Sequence, residues 1–231
     1  MPICSLKGVC KDYGSGVGAV RALSDATLDI EAGEFTVFSG PSGSGKTTLL
    51  NLIGCLDQPS AGSVTIDGQD TGKLGAGALS ALRARQIGFI FQSFNLIPVL
   101  TATENVELAL QLAGDTKDRR ERARKVLDEV GLGSLLDRRP TQLSGGQQQR
   151  VAIARALVKR PGIVIADEPT ANLDSHTGHQ VLELMQAMNA KHGVTFLFST
   201  HDPRVMACAR RVVTLRDGKM ERDEVRIPVA S

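Results

Sequence analysis

Unbroken apolar runs, rather than alternating ones, mark the central strands of this chain. Residues 163–166, Ile-Val-Ile-Ala, read as a strand buried on both faces of a parallel sheet. Residues 35–38, 87–91, 195–199 and 212–215 supply further strands, and shorter segments at 4–9, 26–30 and 63–66 read as an antiparallel group beside them. Helical period takes over at 47–56 and again at 148–159. Between Gln92 and Arg160 the character is helical: Ala123, Val126, Leu127 and Val130 recur at helical spacing, while Arg119, Arg120, Glu121, Arg122, Arg124 and Lys125 fill the other positions. That charge run is a solvated helix face with no chemistry assigned to it. Residues 221–231 read as a loosely held tail, and no internal repeat interrupts the pattern.

The join between the strand at 35–38 and the helix at 47–56 carries the first chemistry. It reads Gly40-Pro41-Ser42-Gly43-Ser44-Gly45-Lys46-Thr47, a P-loop in the strand-to-helix context that a P-loop requires. The glycines let successive backbone N–H groups turn toward phosphate oxygens, and the helix that follows aims its positive dipole end at the same charge. Lys46 adds a mobile cation. The Thr47 hydroxyl suits a magnesium ion on the outer phosphates, and Thr48 suits a phosphate nearer the ribose. Together these residues predict binding of a nucleoside triphosphate.

About a hundred residues on, Leu143-Ser144-Gly145-Gly146-Gln147 opens another helix, with Ser144 as its N-cap and two glycines freeing backbone amides. A triphosphate already held by one P-loop has no need of a second cradle in the same subunit. Ser144, Gly145 and Gly146 therefore point to the γ-phosphate bound on a partner copy. The strand at 163–166 ends in Asp167-Glu168. At the carboxyl edge of a parallel sheet, Asp167 suits a hydrated magnesium, and Glu168 suits orientation and deprotonation of an attacking water.

With these motifs in this order, the chain resembles the nucleotide-binding ATPase subunit of an ATP-binding cassette (ABC) transporter, over nearly its whole length from about Leu6 to Arg222. The resemblance implies an α/β P-loop NTPase fold with a RecA-like core, at about 1–91 and 160–231. It also implies an antiparallel β-subdomain and an inserted helical subdomain at about 92–159, the whole forming a single ABC ATPase domain. It places Tyr13 under adenine, Gln92 as a ligand to magnesium or its water, Asp174 (with Asn172 and Leu173) as a loop that crosses to the partner, Gln147 within the signature, and His201 against the γ-phosphate. The same resemblance implies a homodimer closing on MgATP and membrane subunits docking near residues 94–100. Location would be the cytoplasmic face of a bacterial inner membrane.

Finer similarity, at 51–57, 91–98 and 170–175, is to the branch of lipoprotein-release, macrolide-export and cell-division ATPases. Lipoprotein release is favoured within it, because the sequence carries no fused membrane domain. Ala171 stands where that branch commonly has glycine. In the docking stretch Phe94, Leu96, Ile97 and Leu100 surround Pro98, and some are expected at the surface, Leu96 or Leu100 first.

Composition narrows the rest. A net charge of +2 argues against nucleic acid as a partner. Cys4, Cys10, Cys55 and Cys208 lack metal-ligand spacing and read as reduced thiols. His176, His179 and His192 read as structural. Neither a secretory signal nor an apolar stretch of the ~20 residues that span a bilayer is evident. A soluble ABC ATPase of DNA repair or translation is the reading of a different class. The repair type carries a long coiled-coil insertion and the translation type two cassettes, and neither is present. A nucleotide-gated subunit without turnover is disfavoured by the presence of Glu168.

Overall fold

The computed structural model describes residues 1–14 and 16–226, without the side chain of Val17. In chain order the elements are β1 (Cys4–Tyr13), β2 (Val20–Ile30), β3 (Phe35–Ser39), α1 (Lys46–Ile53), β4 (Ala61–Ile66), β5 (Gln69–Asp70), α2 (Ala76–Gln86), β6 (Ile87–Ile90), α3 (Ala102–Leu112), α4 (Arg119–Glu129) and α5 (Gly145–Leu157). They continue with β7 (Ile163–Asp167), α6 (Ser175–His192), β8 (Thr195–Ser199), α7 (Pro203–Cys208), β9 (Arg211–Arg216) and β10 (Lys219–Val225). The described chain packs as two compact units: Met1–Arg83 with the residues from Thr195 onward, and Ala84–Val194. The second unit is wider than the helical insertion expected at 92–159, since it takes in β6, β7 and α6.

In the first unit, β3 runs parallel to β8 on one side and to β9 on the other, with β10 antiparallel beyond β9. Strands inside a parallel sheet are covered on both faces, and β3 and β8 are accordingly buried at nearly every position, Thr36, Thr195 and Ser199 included. Phe35 lies 5.8 Å from Phe196 and 4.5 Å from Phe198, ring centre to ring centre. Such pairs add about 0.5–1.5 kcal/mol each beyond their burial. A second sheet, antiparallel, has the order β2-β1-β4-β5. Both β1 and β2 are longer than the expected 4–9 and 26–30, because they continue as a polar ribbon through Tyr13 and Val20 with several register shifts. The expected tail at 221–231 is corrected in part. β10 extends to Val225 although its sequence is Lys-Met-Glu-Arg-Asp-Glu-Val, because Arg211 on β9 pairs with Asp223 at 2.7 Å and also reaches Glu34 at 3.0 Å. Residues 227–231 lie outside the described set.

In the second unit, β6 and β7 form a parallel pair in which Ile90 faces Ala166. Helix α4 follows the sequence pattern, with Ala123 and Leu127 buried and Arg120, Glu121, Arg124 and Lys125 exposed, while Arg122 is half-buried and pairs with Asp115. Helix α5 starts at Gly145, directly after the expected N-cap Ser144 and three residues before its helical period shows in the sequence, because Ser144 and Gln147 form a reciprocal capping box that recruits both glycines into the first turn. Among the described residues, no helix is long and apolar enough to cross a membrane.

Candidate functional site

In the first unit, the loop from Gly40 to Gly45 joins β3 to α1. Gly40 has φ 144°, and a Cβ there would lie 2.1 Å from the Leu215 carbonyl oxygen, so no other residue fits. Gly45, with φ 102°, would place a Cβ 2.7 Å from the Ala22 oxygen. These approaches set the loop against β9 and β2, and the Gly218 N–H fastens it by donating to the Ser44 carbonyl at 3.1 Å. Ser44 is buried, while Pro41, Ser42, Gly43 and Thr47 are exposed and Thr48 is half-buried. Lys46 donates to the carbonyls of Gly40 at 2.7 Å and Pro41 at 2.9 Å, which curls its ammonium over the loop. Gly45 provides no side-chain cap, so the first-turn amides of α1 meet no competing side chain at the N-cap. An uncapped helix start, a glycine-rich loop and a lysine curled across it form an anion cradle.

Tyr13 ends β1 and is 42% exposed. Its hydroxyl donates to Asp57 Oδ2 at 3.0 Å, and the Lys11 ammonium sits 5.0 Å from its ring centre. Burial works upward on the Asp57 carboxyl, yet hydrogen bonds from Lys11, the Gln58 N–H and Tyr13 hold it below the ordinary carboxylate range. His201 follows β8 by two residues and is exposed, just before Asp202, which caps α7 and pairs with Arg204 at 2.7 Å.

In the second unit, the structure brings Gln92, Asp167 and Glu168 to one edge. Gln92 lies two residues beyond β6, Asp167 ends β7, and Glu168 follows it; these strands are parallel and in register. Glu168 has φ 45°, a left-handed turn that aims it away from the line of the strand. Three neighbours shape this edge: Asn172, expected in the loop that crosses to the partner, and Gln149 and Arg155, to which the sequence assigned no role. Asn172 exchanges hydrogen bonds with Gln92, donating to its carbonyl at 3.0 Å and accepting from its side chain at 3.4 Å. Gln149 on α5 is fully buried and donates to the Pro169 carbonyl at 2.6 Å, tying the turn after Glu168 to the signature helix. Arg155, further along α5, donates to the carbonyls of Phe94 and Asn95, two residues with φ 59° and 51°. Burial lowers the affinity of Arg155 for its proton. Gln149 is the one polar side chain among the buried residues of α5, at helical spacing from Ile153, and that was the available signal.

The signature residues sit at the start of α5, with Ser144 and Gln147 exposed or half-buried. Gly146 has a packing cause beyond amide exposure: a Cβ there would meet the Thr177 methyl at 2.3 Å, so glycine lets α5 and α6 approach. Asp174 is the N-cap of α6, accepting from the N–H groups of His176 at 3.1 Å and Thr177 at 3.0 Å. The Thr177 hydroxyl, together with those N–H groups, holds its carboxyl below the usual range.

In the docking stretch the exposure expectation is corrected. Leu96 and Leu100 are half-buried, whereas Val99 is 73% and Ile97 38% exposed. The cause is Asn105 on α3, which binds Ile97, Leu100 and Thr101 through its side chain and folds the loop so that Val99 crowns it.

Known proteins resemble this chain over most of its length. Residues 23–171 match the family model described as ABC transporter, a span that includes the P-loop, Gln92, the signature and Asp167-Glu168. The chain is 49% identical to the lipoprotein-releasing system ATP-binding protein LolD of Anaeromyxobacter dehalogenans, over 96% of this chain and 94% of that one. It is 51% identical to the macrolide export ATP-binding/permease protein MacB 1/2 of Paracoccus denitrificans over 96% of its own length, but spans only 33% of that relative. A solved dimeric structure of the ATP-binding cassette MJ0796, in a post-hydrolysis state with ADP and Pi, superposes with a TM-score of 0.86 at 47% identity, covering 96% of this chain and 98% of that one.

Proposed function

This chain belongs to the ABC transporter family as an ATP-binding, ATP-hydrolysing subunit, and from that premise we propose that two copies close head to tail around two ATP molecules and so move attached membrane subunits. The observation that carries the reading is the shared edge of β6 and β7, where an amide and two carboxylates emerge together.

In each copy the amides of Gly40 to Gly45 and the first turn of α1 hold the phosphates, Thr48 takes one nearer the ribose, and Tyr13 stacks on the adenine. Lys46 exchanges its loop carbonyls for phosphate oxygens, an exchange its flexible stem allows. Thr47, Gln92 and Asp167 offer oxygen donors alone, the set that a hard cation such as magnesium takes, and no ion pair engages Asp167 among the described residues. Magnesium bound there would neutralise charge on the outer phosphates. Ser144, Gly145 and Gly146 of one copy close over the γ-phosphate of the other, with Gln147 and Asp174 shaping that surface through the helix caps they form. Glu168 accepts a proton from the attacking water as the bond between the γ-phosphorus and its bridging oxygen breaks, and His201 contacts the γ-phosphate.

The exposed apolar crown at Ile97 and Val99 docks the membrane subunits, which hold the protein at the cytoplasmic face of the inner membrane. Lipoprotein release is the favoured task, supported by the near end-to-end match to the lipoprotein-releasing relative. Macrolide export is the second reading, supported by 51% identity, against 49%, over a shorter share of that relative. The membrane protein that co-purifies from native membranes decides between them.

Glu168→Gln tests the catalytic assignment. The amide keeps the shape but takes no proton, so ATP binding persists, hydrolysis falls by roughly 10²–10⁴-fold, and an ATP-bound dimer accumulates in light scattering. Hydrolysis at the parental rate removes Glu168 from this role.

A further inference from the structure

We infer that Lys11 and Asp57 are positioning residues that clamp the Tyr13 ring into a preformed shelf for the adenine of ATP. The inference rests on the reading that Tyr13 stacks on adenine, and adds the residues that set the strength of that stack.

Tyr13 is the last residue of β1 and stands well out of the surface. A tyrosine so placed ordinarily samples several rotamers, and a base binding to it must first order the ring. Here that ordering is built in. Asp57 divides its two oxygens between two tasks: Oδ2 accepts the Tyr13 hydroxyl at 3.0 Å, while Oδ1 accepts Lys11 at 2.6 Å and the Gln58 N–H at 2.7 Å. Lys11 in turn donates to the Gln58 carbonyl at 2.8 Å and lies over one face of the ring. The ring is thus held at its tip by Asp57 and on one face by Lys11, which leaves the opposite face for a purine. The side chains of Lys11 and Asp57 are only 12% and 28% exposed, so solvent screens this pair less than an ordinary surface ion pair.

The position of Asp57 gives the clamp its use. It lies four residues past Ile53, the end of the helix that begins at Lys46. The hydrogen bonds of Asp57 therefore fix the base shelf relative to the same helix whose first turn receives the phosphates. A nucleotide meets both at a set spacing, and the phosphate cradle and the base shelf bind as one rigid template. Because the ring presents only a flat face, the clamp strengthens binding of a base without reading its edges.

The test compares MgATP with magnesium tripolyphosphate, which has the phosphates and no base. Lys11→Met and Asp57→Ala are expected to raise KM for ATP by about five- to tenfold with kcat unchanged. Affinity for tripolyphosphate should stay parental. Tyr13 is the only tyrosine and the chain has no tryptophan, so its emission reports the clamp directly. Emission of the nucleotide-free protein should rise in Asp57→Ala, as the quenching bond to the carboxylate is lost. In a Tyr13→Ala background, Asp57→Ala should have no further effect on ATP affinity. Additive losses, or an equal loss of tripolyphosphate affinity, would show that Asp57 supports the loop rather than the ring and overturn the inference. Asp57→Asn, isosteric and uncharged, preserves the fold if the alanine variant melts early, and is expected to give the same split between the two ligands. Tyr13→Ala with parental ATP affinity sinks the adenine reading itself, an outcome distinct from failure of the clamp.

Discussion

Removing the Asn105 side chain is expected to loosen the docking stretch from within. Asn105 is 1% exposed and sits on α3. Its Oδ1 accepts the Ile97 N–H at 2.8 Å, and its Nδ2 faces the carbonyls of Ile97 at 3.2 Å, Leu100 at 3.1 Å and Thr101 at 2.9 Å. Two amide hydrogens serve three carbonyls, so the side chain makes the equivalent of three full bonds rather than four. At about 1 kcal/mol net for each, Asn105→Ala forfeits at most about 3 kcal/mol. The loop lies at the surface, and water reaches some of the groups left behind, so about 2 kcal/mol is the expected loss. For a chain of this size that lowers the melting temperature by roughly 4–8 °C. Asn105→Asp supplies an internal control. It keeps the acceptor for Ile97 but sets a carboxylate against three carbonyls, so it is worse than alanine at neutral pH and recovers as the pH falls and the acid protonates. Thermal melting and amide exchange over 96–101 measure both effects. If Asn105→Ala melts with the parent and those amides stay protected, the loop is held by something else.

Three further outcomes follow from the same geometry. Val99→Glu should leave melting and ATP affinity unchanged while abolishing co-purification of the membrane subunit, whereas Leu96→Glu and Leu100→Glu should destabilise the isolated protein; normal co-purification of Val99→Glu would move the docking surface elsewhere. Cys10 and Cys208, half-exposed, should react with a thiol reagent at pH 8 while Cys4 and Cys55 wait for unfolding; one common rate for all four thiols would contradict the packing. Burial pushes the Cys55 thiol from 9.0 up to about 11 and Cys4 higher still, so the stability from burying them neutral is intact below about pH 9 and declines as the pH rises through the Cys55 value. A melting temperature flat from pH 8 to 11 would argue against that linkage.

The elements most legible in the sequence are those whose environment is uniform. β3, β7 and β8 are built around large apolar residues because both faces are covered, and the structure places them within a residue of the predicted limits. The P-loop was legible because its chemistry lies in the backbone, so its glycines are the message. What stayed hidden depended on pairing between distant residues. Nothing in Lys219–Val225 announces a strand; the charged side chains lie on an exposed ribbon, and Arg211 supplies the counter-charge from the neighbouring strand. The start of α5 was legible in its N-cap Ser144 rather than in its first turn, because glycine is a poor helix former, a preference that the Ser144–Gln147 box overrides. The exposure of Val99 over Leu96 depended on an asparagine outside the loop, a relation that helical or strand periodicity does not express.

The approach of Gly40 to Leu215 also fixes what this gene is free to change. Every missense change in a glycine codon adds at least a β-carbon, and at Gly40 the first atom added would lie 2.1 Å from a backbone oxygen that has nowhere to go. No single-step neighbour of the present sequence is viable at that position, so it is an evolutionary dead end from which no gradual path departs. Gly43, three residues further along the same loop but with φ 78° and open space around its α-carbon, is a different case. Asparagine or aspartate tolerate that backbone, and variation among descendants of this loop is expected to collect there.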